Sequence, residues 1–338
     1  MEAARQKNII IGAMERVTSV TEKNQPVTTA TDTVEGTSQL QAILKLIRVK
    51  HWVKNLFLFI PSFFAGHLFH TRELMLVGIG ALAFSFVSSG VYILNDYRDR
   101  NIDKLHPRKK LRPLASGEVK PSSAIVLMIC LIISGLAIAA KLNTPFFFLL
   151  SGYLALNFAY SFGLKNIPIL DLFIVSLGFL IRVYSGGVIA GLPITHWLSL
   201  MILLLALFLI LAKRRDDLVL MKNGKNGKNG KHAADTVIRK SSMKYNLVYI
   251  NSCVTLLSAV MVVAYIMYTV SPEVTERFES KYLFATTIFV IAGIMRYLQI
   301  VFVEKNSGSP TRIFIRDRFI LCTIAGWILT FYLLIYAT

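Results

Sequence analysis

The sequence predicts an all-α polytopic membrane protein with nine transmembrane helices and a cytoplasmic N-terminus, and three observations carry that prediction. The chain of 338 residues is 54% hydrophobic yet has a formal net charge of +18, with a mean hydropathy of +0.57. Its apolar residues gather in long runs, and about 20 apolar residues in an α-helix cross the ~30 Å hydrocarbon core of a bilayer. Its basic residues concentrate on alternate connections between those runs. A basic protein that binds nucleic acid is seldom so apolar, so the expected partner surface is the lipid bilayer and not nucleic acid.

Taken in order, residues 1–40 are polar and Thr-rich, with a short apolar patch at Ile9–Ile11. That patch is too brief for a signal-peptide core, and a flexible cytoplasmic tail is expected. Residues 41–338 read as a single membrane domain. Its apolar runs cover 54–70, 74–94, 123–141, 145–163, 168–190, 194–212, 246–270, 281–303 and 318–337. The first is short and holds Pro61 and Gly66, which points to a broken or tilted helix. The runs are continuous and not alternating, which excludes a β-barrel. Residues 213–245 read as a basic cytoplasmic loop whose centre, 223–231, is the low-complexity NGKNGKNGK, to which no chemistry is assigned.

Orientation follows from Lys and Arg. With the N-terminus inside, the inner connections hold Lys45, Arg48 and Lys50, the Arg98–Lys120 stretch, Lys165, the Lys213–Lys244 stretch, and Lys305, Arg312 and Arg316. The outer connections hold little beyond Arg72, Lys141, Arg277 and Lys281, so the positive-inside rule sets the topology. Cys130, Cys253 and Cys322 all fall within apolar runs, without metal-ligand spacing or a disulfide framework.

The densest chemistry lies where the second run ends, in NDYRDRNIDKLHPRKKLRPLASGEV from Asn95 to Val119. Asp96, Asp99 and Asp103 are three and four residues apart, which on a helix places them on one face. Like charges so placed repel by about 4 kcal/mol for a pair ~4 Å apart at an effective dielectric of ~20. A bound cation relieves that repulsion, and carboxylate oxygens suit Mg²⁺, which holds substrate phosphates through one or two carboxylates. The plainer alternative, a solvated loop whose Asp residues pair with Arg98, Arg100 and Lys104, fits less well with a motif that begins where a span stops.

This stretch resembles the first Asp-rich signature, NDxxDxxxD, of the UbiA superfamily of intramembrane prenyltransferases, with Asn95, Asp96, Asp99 and Asp103 at the matching positions. His106-Pro107 and Arg112-Pro113-Leu114-Ala115-Ser116-Gly117 are similar to the family's continuation of that motif. The resemblance implies a nine-helix UbiA-like bundle and a substrate diphosphate held through Mg²⁺ by Asp96, Asp99 and Asp103. Where prenyl-diphosphate users of the family carry a second Asp-rich motif, this chain reads Lys213-Arg214-Arg215-Asp216-Asp217. In that respect it resembles the decaprenyl-phosphate phosphoribosyltransferases, as do Trp52-Val53-Lys54-Asn55, Tyr160-Ser161 with Leu164-Lys165, and Ser309-Pro310-Thr311-Arg312 with Arg316-Asp317-Arg318.

That branch implies transfer of 5-phosphoribose from 5-phosphoribosyl 1-diphosphate to a polyprenyl phosphate at a cytoplasm-facing site of a multi-pass protein of the bacterial inner membrane. Donor and acceptor together bring three phosphate groups, which need Mg²⁺ and several basic side chains, Arg for bidentate contacts and Lys as a point charge. Asn95, Lys54, Arg112, Tyr160, Lys165, Arg182, Lys213, Arg214 and Arg215 are the expected substrate-binding residues. Lys54 has the competing reading of a side chain snorkelling to headgroups. Arg182 and Arg296 sit well inside apolar runs, where a basic residue costs ~2.5–3.5 kcal/mol and so faces a cavity or a partner; Asp171 is the expected partner of Arg182. His67 and His70 stand three apart without an evident third ligand and are read as interface residues. The alternatives are a prenyltransferase joining a polyprenyl diphosphate to an aromatic acceptor such as 4-hydroxybenzoate, and a transporter, for which the paired broken helices are missing. Chain length of the lipid and oligomeric state, a homo-oligomer included, stay open.

Overall fold

The computed structural model describes residues 39–67, 69–105, 109–225, 245–278, 280–304, 313 and 316–336. The expected N-terminal tail, His106 and Pro107, most of the 223–231 run, Lys305 and the Ser309–Arg312 stretch lie outside the described residues. Gln41–Thr338 constitute one unit, and among the described residues every regular element is helical.

The unit starts with α1 (Gln39–Ile47), the 3₁₀ helix Val49–Phe59 and the short α2 (Ile60–Phe64). Next come α3 (Thr71–Asp103), α4 (Pro113–Ser116), α5 (Pro121–Leu142), α6 (Thr144–Phe162), α7 (Leu170–Ala190) and α8 (His196–Lys225). The last part holds α9 (Leu247–Val270), α10 (Pro272–Arg277), α11 (Thr287–Phe302) and α12 (Arg318–Tyr336). Among the described residues, seven helical segments, against the nine expected, are long and apolar enough to span a membrane, and Arg318–Leu334 is a shorter apolar helix.

The expected first span, 54–70, is broken, as Pro61 suggests: it is a 3₁₀ helix followed by one short α-turn with Pro61 near its start, and it is not among the helices long enough to span. Polar anchors explain why. Asn55 is buried and donates to Ser85 Oγ (2.7 Å), and Trp52 Nε1 donates to Ser89 Oγ (3.0 Å). Ser85 and Ser89, one turn apart on α3, thus receive the segment laterally. Gly186 of α7 receives it from the other side: a Cβ there would stand 1.8 Å from the Leu58 carbonyl oxygen, so only glycine permits this approach.

Two other expectations shift. The α3 helix does not stop at Leu94 but carries the whole Asp-rich motif on its last turns, and α8 continues helically through Lys213–Arg215, where a loop was expected. The core is centred on α3 and α7, each with 56% of its most apolar stretch buried, against 17% for α5. Phe84, Val87, Phe146, Leu150 and Tyr153 pack on one side of the bundle, and Phe208, Ile250, Val254, Tyr297 and Ile320 on the other. Burying each such side chain contributes about 1.5–3 kcal/mol relative to exposure to water.

Candidate active site

The end of α3 is where buried charge collects. Asp96 and Asp103 lie seven residues apart, two turns on one face of the helix, and are 3% and 2% exposed. Carboxylates so placed require compensation. Arg112, on the segment that folds back over the motif, supplies it with one nitrogen: Nη1 donates to Asp96 Oδ1 (2.9 Å) and to Asp103 Oδ2 (2.6 Å). Arg48 Nη2 reaches the same Asp96 oxygen at 2.5 Å. Arg48 holds φ 54°, ψ 50°, the left-handed region, which is uncommon for a residue other than glycine. Backbone held there persists only where the surroundings over-determine it. Here the 3₁₀ helix beginning at Val49 and the carboxylate of Asp96 do so.

Asp99 turns to a different partner. Lys165, in the turn after α6, places Nζ 2.8 Å from Asp99 Oδ1. That turn is fixed from both sides: Ser161 Oγ donates to Asn95 Oδ1 (2.7 Å), and Arg98 donates to the Ser161 carbonyl while its guanidinium lies over the Phe162 ring, 4.2 Å from the centroid. Asn95 and Lys165 therefore belong to one cluster with the carboxylates, and Tyr160 is buried one residue before Ser161. Asp96 and Asp103 share Arg112, and Asp99 engages Lys165.

The basic triad on α8 separates for a geometric reason. Consecutive helical residues are rotated by about 100°, so three neighbours face three ways. Lys213 acts electrostatically on His51, beside Arg48, Lys54 and Asp96. Arg214 is buried and pairs with Asp171 Oδ2 of α7 at 2.9 Å. Arg215 donates to Asn251 Oδ1 (2.8 Å) and to the Val301 carbonyl (2.9 Å), tying α8 to α9 and α11. Arg214 and Arg215, expected at phosphate, are thus held by helix-to-helix contacts.

Arg182 and Asp171 are not partners. Eleven residues apart on α7, they are separated by about 16 Å along the axis. Arg182 donates to Asn55 Oδ1 (2.8 Å), the Gly178 carbonyl (2.7 Å) and the Tyr153 hydroxyl (3.1 Å), with its guanidinium 4.6 Å from the Phe84 ring centroid. It pins the 3₁₀ helix that carries Lys54 and begins directly after Arg48. Arg296 has the partner a buried-span cation needs: its Nη2 lies 2.8 Å from Asp317 Oδ2 at the start of α12.

Sequence reasoning did not pick Arg48 or His51 as site residues. Arg48 looked like one more inside-positive residue, and only its fold-back onto Asp96, 48 positions away, distinguishes it. His51 lies beside Tyr92 with ring centroids 5.5 Å apart. Partial burial, reinforced by the charges of Lys54, Arg48 and Lys213, lowers its pKa to about 4.

A divalent cation fits this donor set. Two carboxylate oxygens already flank a single cationic nitrogen, that of Arg112, and hard oxygen ligands suit Mg²⁺.

The site is thus a cluster of buried carboxylates contacted by Arg and Lys at one end of a bundle of apolar helices. Comparisons with known proteins agree. Residues 56–217 match the UbiA prenyltransferase family. The chain is 30% identical over 293 residues to a decaprenyl-phosphate phosphoribosyltransferase of Mycobacterium tuberculosis (85% of this chain, 92% of the relative). It is 29% identical over 300 residues to one of Mycolicibacterium smegmatis (86% and 91%). Its fold is similar to a UbiA homolog from Archaeoglobus fulgidus bound to DMAPP and Mg²⁺, with TM-score 0.64 at 20% identity over 87% of this chain and 99% of that one. The chain belongs to the UbiA prenyltransferase family, on the side of its decaprenyl-phosphate phosphoribosyltransferases, and is a transferase.

Proposed function

We propose that this protein transfers 5-phosphoribose from 5-phosphoribosyl 1-diphosphate to a polyprenyl phosphate of the decaprenyl type, releasing diphosphate, in a Mg²⁺-dependent reaction on the cytoplasmic side of a bacterial inner membrane. The observation that carries the reading is the excess of cations around one acidic cluster. Arg48 and Arg112 bond Asp96, Lys165 bonds Asp99, and the charges of Lys54, Arg48 and Lys213 act on His51. Three phosphate groups call for such an excess. The names of the relatives aligned over most of the chain support phosphoribosyl transfer and a decaprenyl phosphate substrate, and the Mg²⁺ bound to a structural neighbour supports the metal.

Asp96 and Asp103, with Asp99 beside them, would hold Mg²⁺, which when bound neutralises the diphosphate charge that grows as the leaving group departs. Arg112 and Arg48 are placed to turn from the carboxylates to phosphate oxygens, and Lys165 to meet the far end of the donor. Charge built up at ribose C1 is oxocarbenium-like, and the acceptor phosphate is already ionised at neutral pH. The site therefore needs orientation and electrostatics and no general base.

The test uses purified full-length protein with Mg²⁺ in two mixtures: 5-phosphoribosyl 1-diphosphate with decaprenyl phosphate, and a polyprenyl diphosphate with 4-hydroxybenzoate. Product is expected in the first, abolished by EDTA. Product in the second mixture alone would overturn the proposal in favour of an aromatic prenyltransferase.

A further inference from the structure

At the opposite end of α3 from the Asp-rich motif, His67, His70 and Glu73 come together. His67 Nδ1 is 3.0 Å from Glu73 Oε2, His70 Nδ1 is 3.4 Å from Glu73 Oε1, and the two rings stand 4.3 Å apart between centroids. One ligand atom from each residue can be chosen so that all lie within 4.8 Å of one another. The sequence shows two histidines three apart; the third ligand comes from the first turn of α3, one turn beyond His70.

We propose that His67, His70 and Glu73 form a Zn²⁺ site separate from the acidic cluster. The donor chemistry is two imidazoles and one carboxylate, a set that binds Zn²⁺ with a fourth position left to water. The spacing also fits. Bonds of about 2.0–2.1 Å in tetrahedral geometry separate ligand atoms by roughly 3.3 Å; each imidazole Nδ1 lies 3.0 or 3.4 Å from one of the two Glu73 oxygens, and one atom from each residue can be drawn together from within 4.8 Å. The backbone is already shaped for it: His67 N–H donates to the Ser62 carbonyl (2.9 Å), His70 N–H to the His67 carbonyl (3.1 Å), and Leu74 N–H to the His70 carbonyl (3.0 Å). The two imidazoles face the two oxygens of one carboxylate, so all three side chains already converge without a change of backbone.

The site cannot be part of the transferase centre. Glu73 and Asp96 are 23 residues apart on one continuous helix, so about 35 Å separates them, more than the ~30 Å hydrocarbon core. The zinc would lie on the other face of the membrane, joining the turn after α2 to the start of α3. It thereby braces the two-part segment that carries Arg48 and Lys54.

Zn²⁺ alone, titrated calorimetrically into the full-length protein in nanodiscs with excess Mg²⁺ present, tests this. One Zn²⁺ per chain is expected for the native protein and for Asp96→Asn. The double variant His67→Asn/His70→Asn should lose it, and Glu73→Gln should bind at least tenfold more weakly. Size-exclusion profiles and transferase activity of the His and Glu73 variants report whether they remain folded. In the native protein, imidazole NMR signals of His67 and His70 should shift with Zn²⁺ while that of His51 does not. Zn²⁺ binding unchanged in the double variant, absence of binding in the native protein, or shifts elsewhere without His67 and His70, would each overturn the proposal.

Discussion

Arg112 Nη1 lies 2.6 Å from Asp103 Oδ2, and the same nitrogen reaches Asp96 at 2.9 Å. One cation thereby bridges two buried carboxylates two turns apart, with Arg48 supplying the second positive charge at Asp96; a divalent metal would carry the charge of both. Replacing Asp96 by Asn keeps the shape but removes the charge that Arg48 and Arg112 share. Activity in the proposed reaction should fall by about 10²–10³-fold, the scale for losing one electrostatic element of a preorganised site. Turnover measured at saturating Mg²⁺ checks this, and an active Asp96→Asn enzyme would remove Asp96 from the site.

Lys165 and Asp99 are both partly exposed, at 20% and 36%, so their pair contributes ~0–1 kcal/mol to stability. Lys165→Ala should therefore leave the melting temperature nearly unchanged while raising KM for 5-phosphoribosyl 1-diphosphate roughly tenfold, the loss of about one charge-assisted hydrogen bond. Steady-state kinetics beside thermal unfolding separates the two. A large fall in melting temperature with KM unchanged would assign Lys165 to the scaffold instead.

Arg214 and Asp171 behave in the reverse way. Both are buried, at 7% and 0% exposed, and breaking a buried pair by removing one partner costs about 3–5 kcal/mol. Asp171→Asn should melt well below the native protein in detergent, with KM for donor little altered in the folded fraction.

His51, with its pKa lowered to about 4, is neutral in the folded protein through the pH range of ordinary assays. The sign follows. Between about 6.5 and about 4 the unfolded chain binds the proton and the folded one does not, so stability falls as pH is lowered through that window and levels off below it. NMR titration should find the His51 midpoint near 4, and adding the polyanionic donor should raise it. A midpoint at the ordinary histidine value would show that neither burial nor the charges of Lys54, Arg48 and Lys213 act on it.

Gly186→Ala would drive a Cβ into the Leu58 carbonyl, whereas Gly152→Ala meets nothing within 4 Å. The first should destabilise by about 1–3 kcal/mol or more and lower activity, because the segment it displaces carries Arg48 and Lys54. The second should be silent by both readouts.

Much of this molecule is determined by local sequence. Runs of apolar residues can satisfy their backbone in a membrane only as helices, so the spanning elements follow from composition and length. The spacing of Asp96, Asp99 and Asp103 likewise follows from the helical repeat. What the tertiary structure decided is which charge meets which. Arg48 and Lys50 are alike in sequence, yet only Arg48 folds back onto Asp96; Arg182 lies on the same helix as Asp171, but Arg214 of the next helix takes that carboxylate. Pro61 and Gly66 point to a break in the segment 54–70, but that the break takes the form of a 3₁₀ helix and a short α-turn depends on Ser85, Ser89 and Gly186 of two other helices. The physical reason is range: hydropathy and helical periodicity act over one or two turns, whereas ion pairs and close backbone contacts join residues many tens of positions apart and exist only once the bundle has packed.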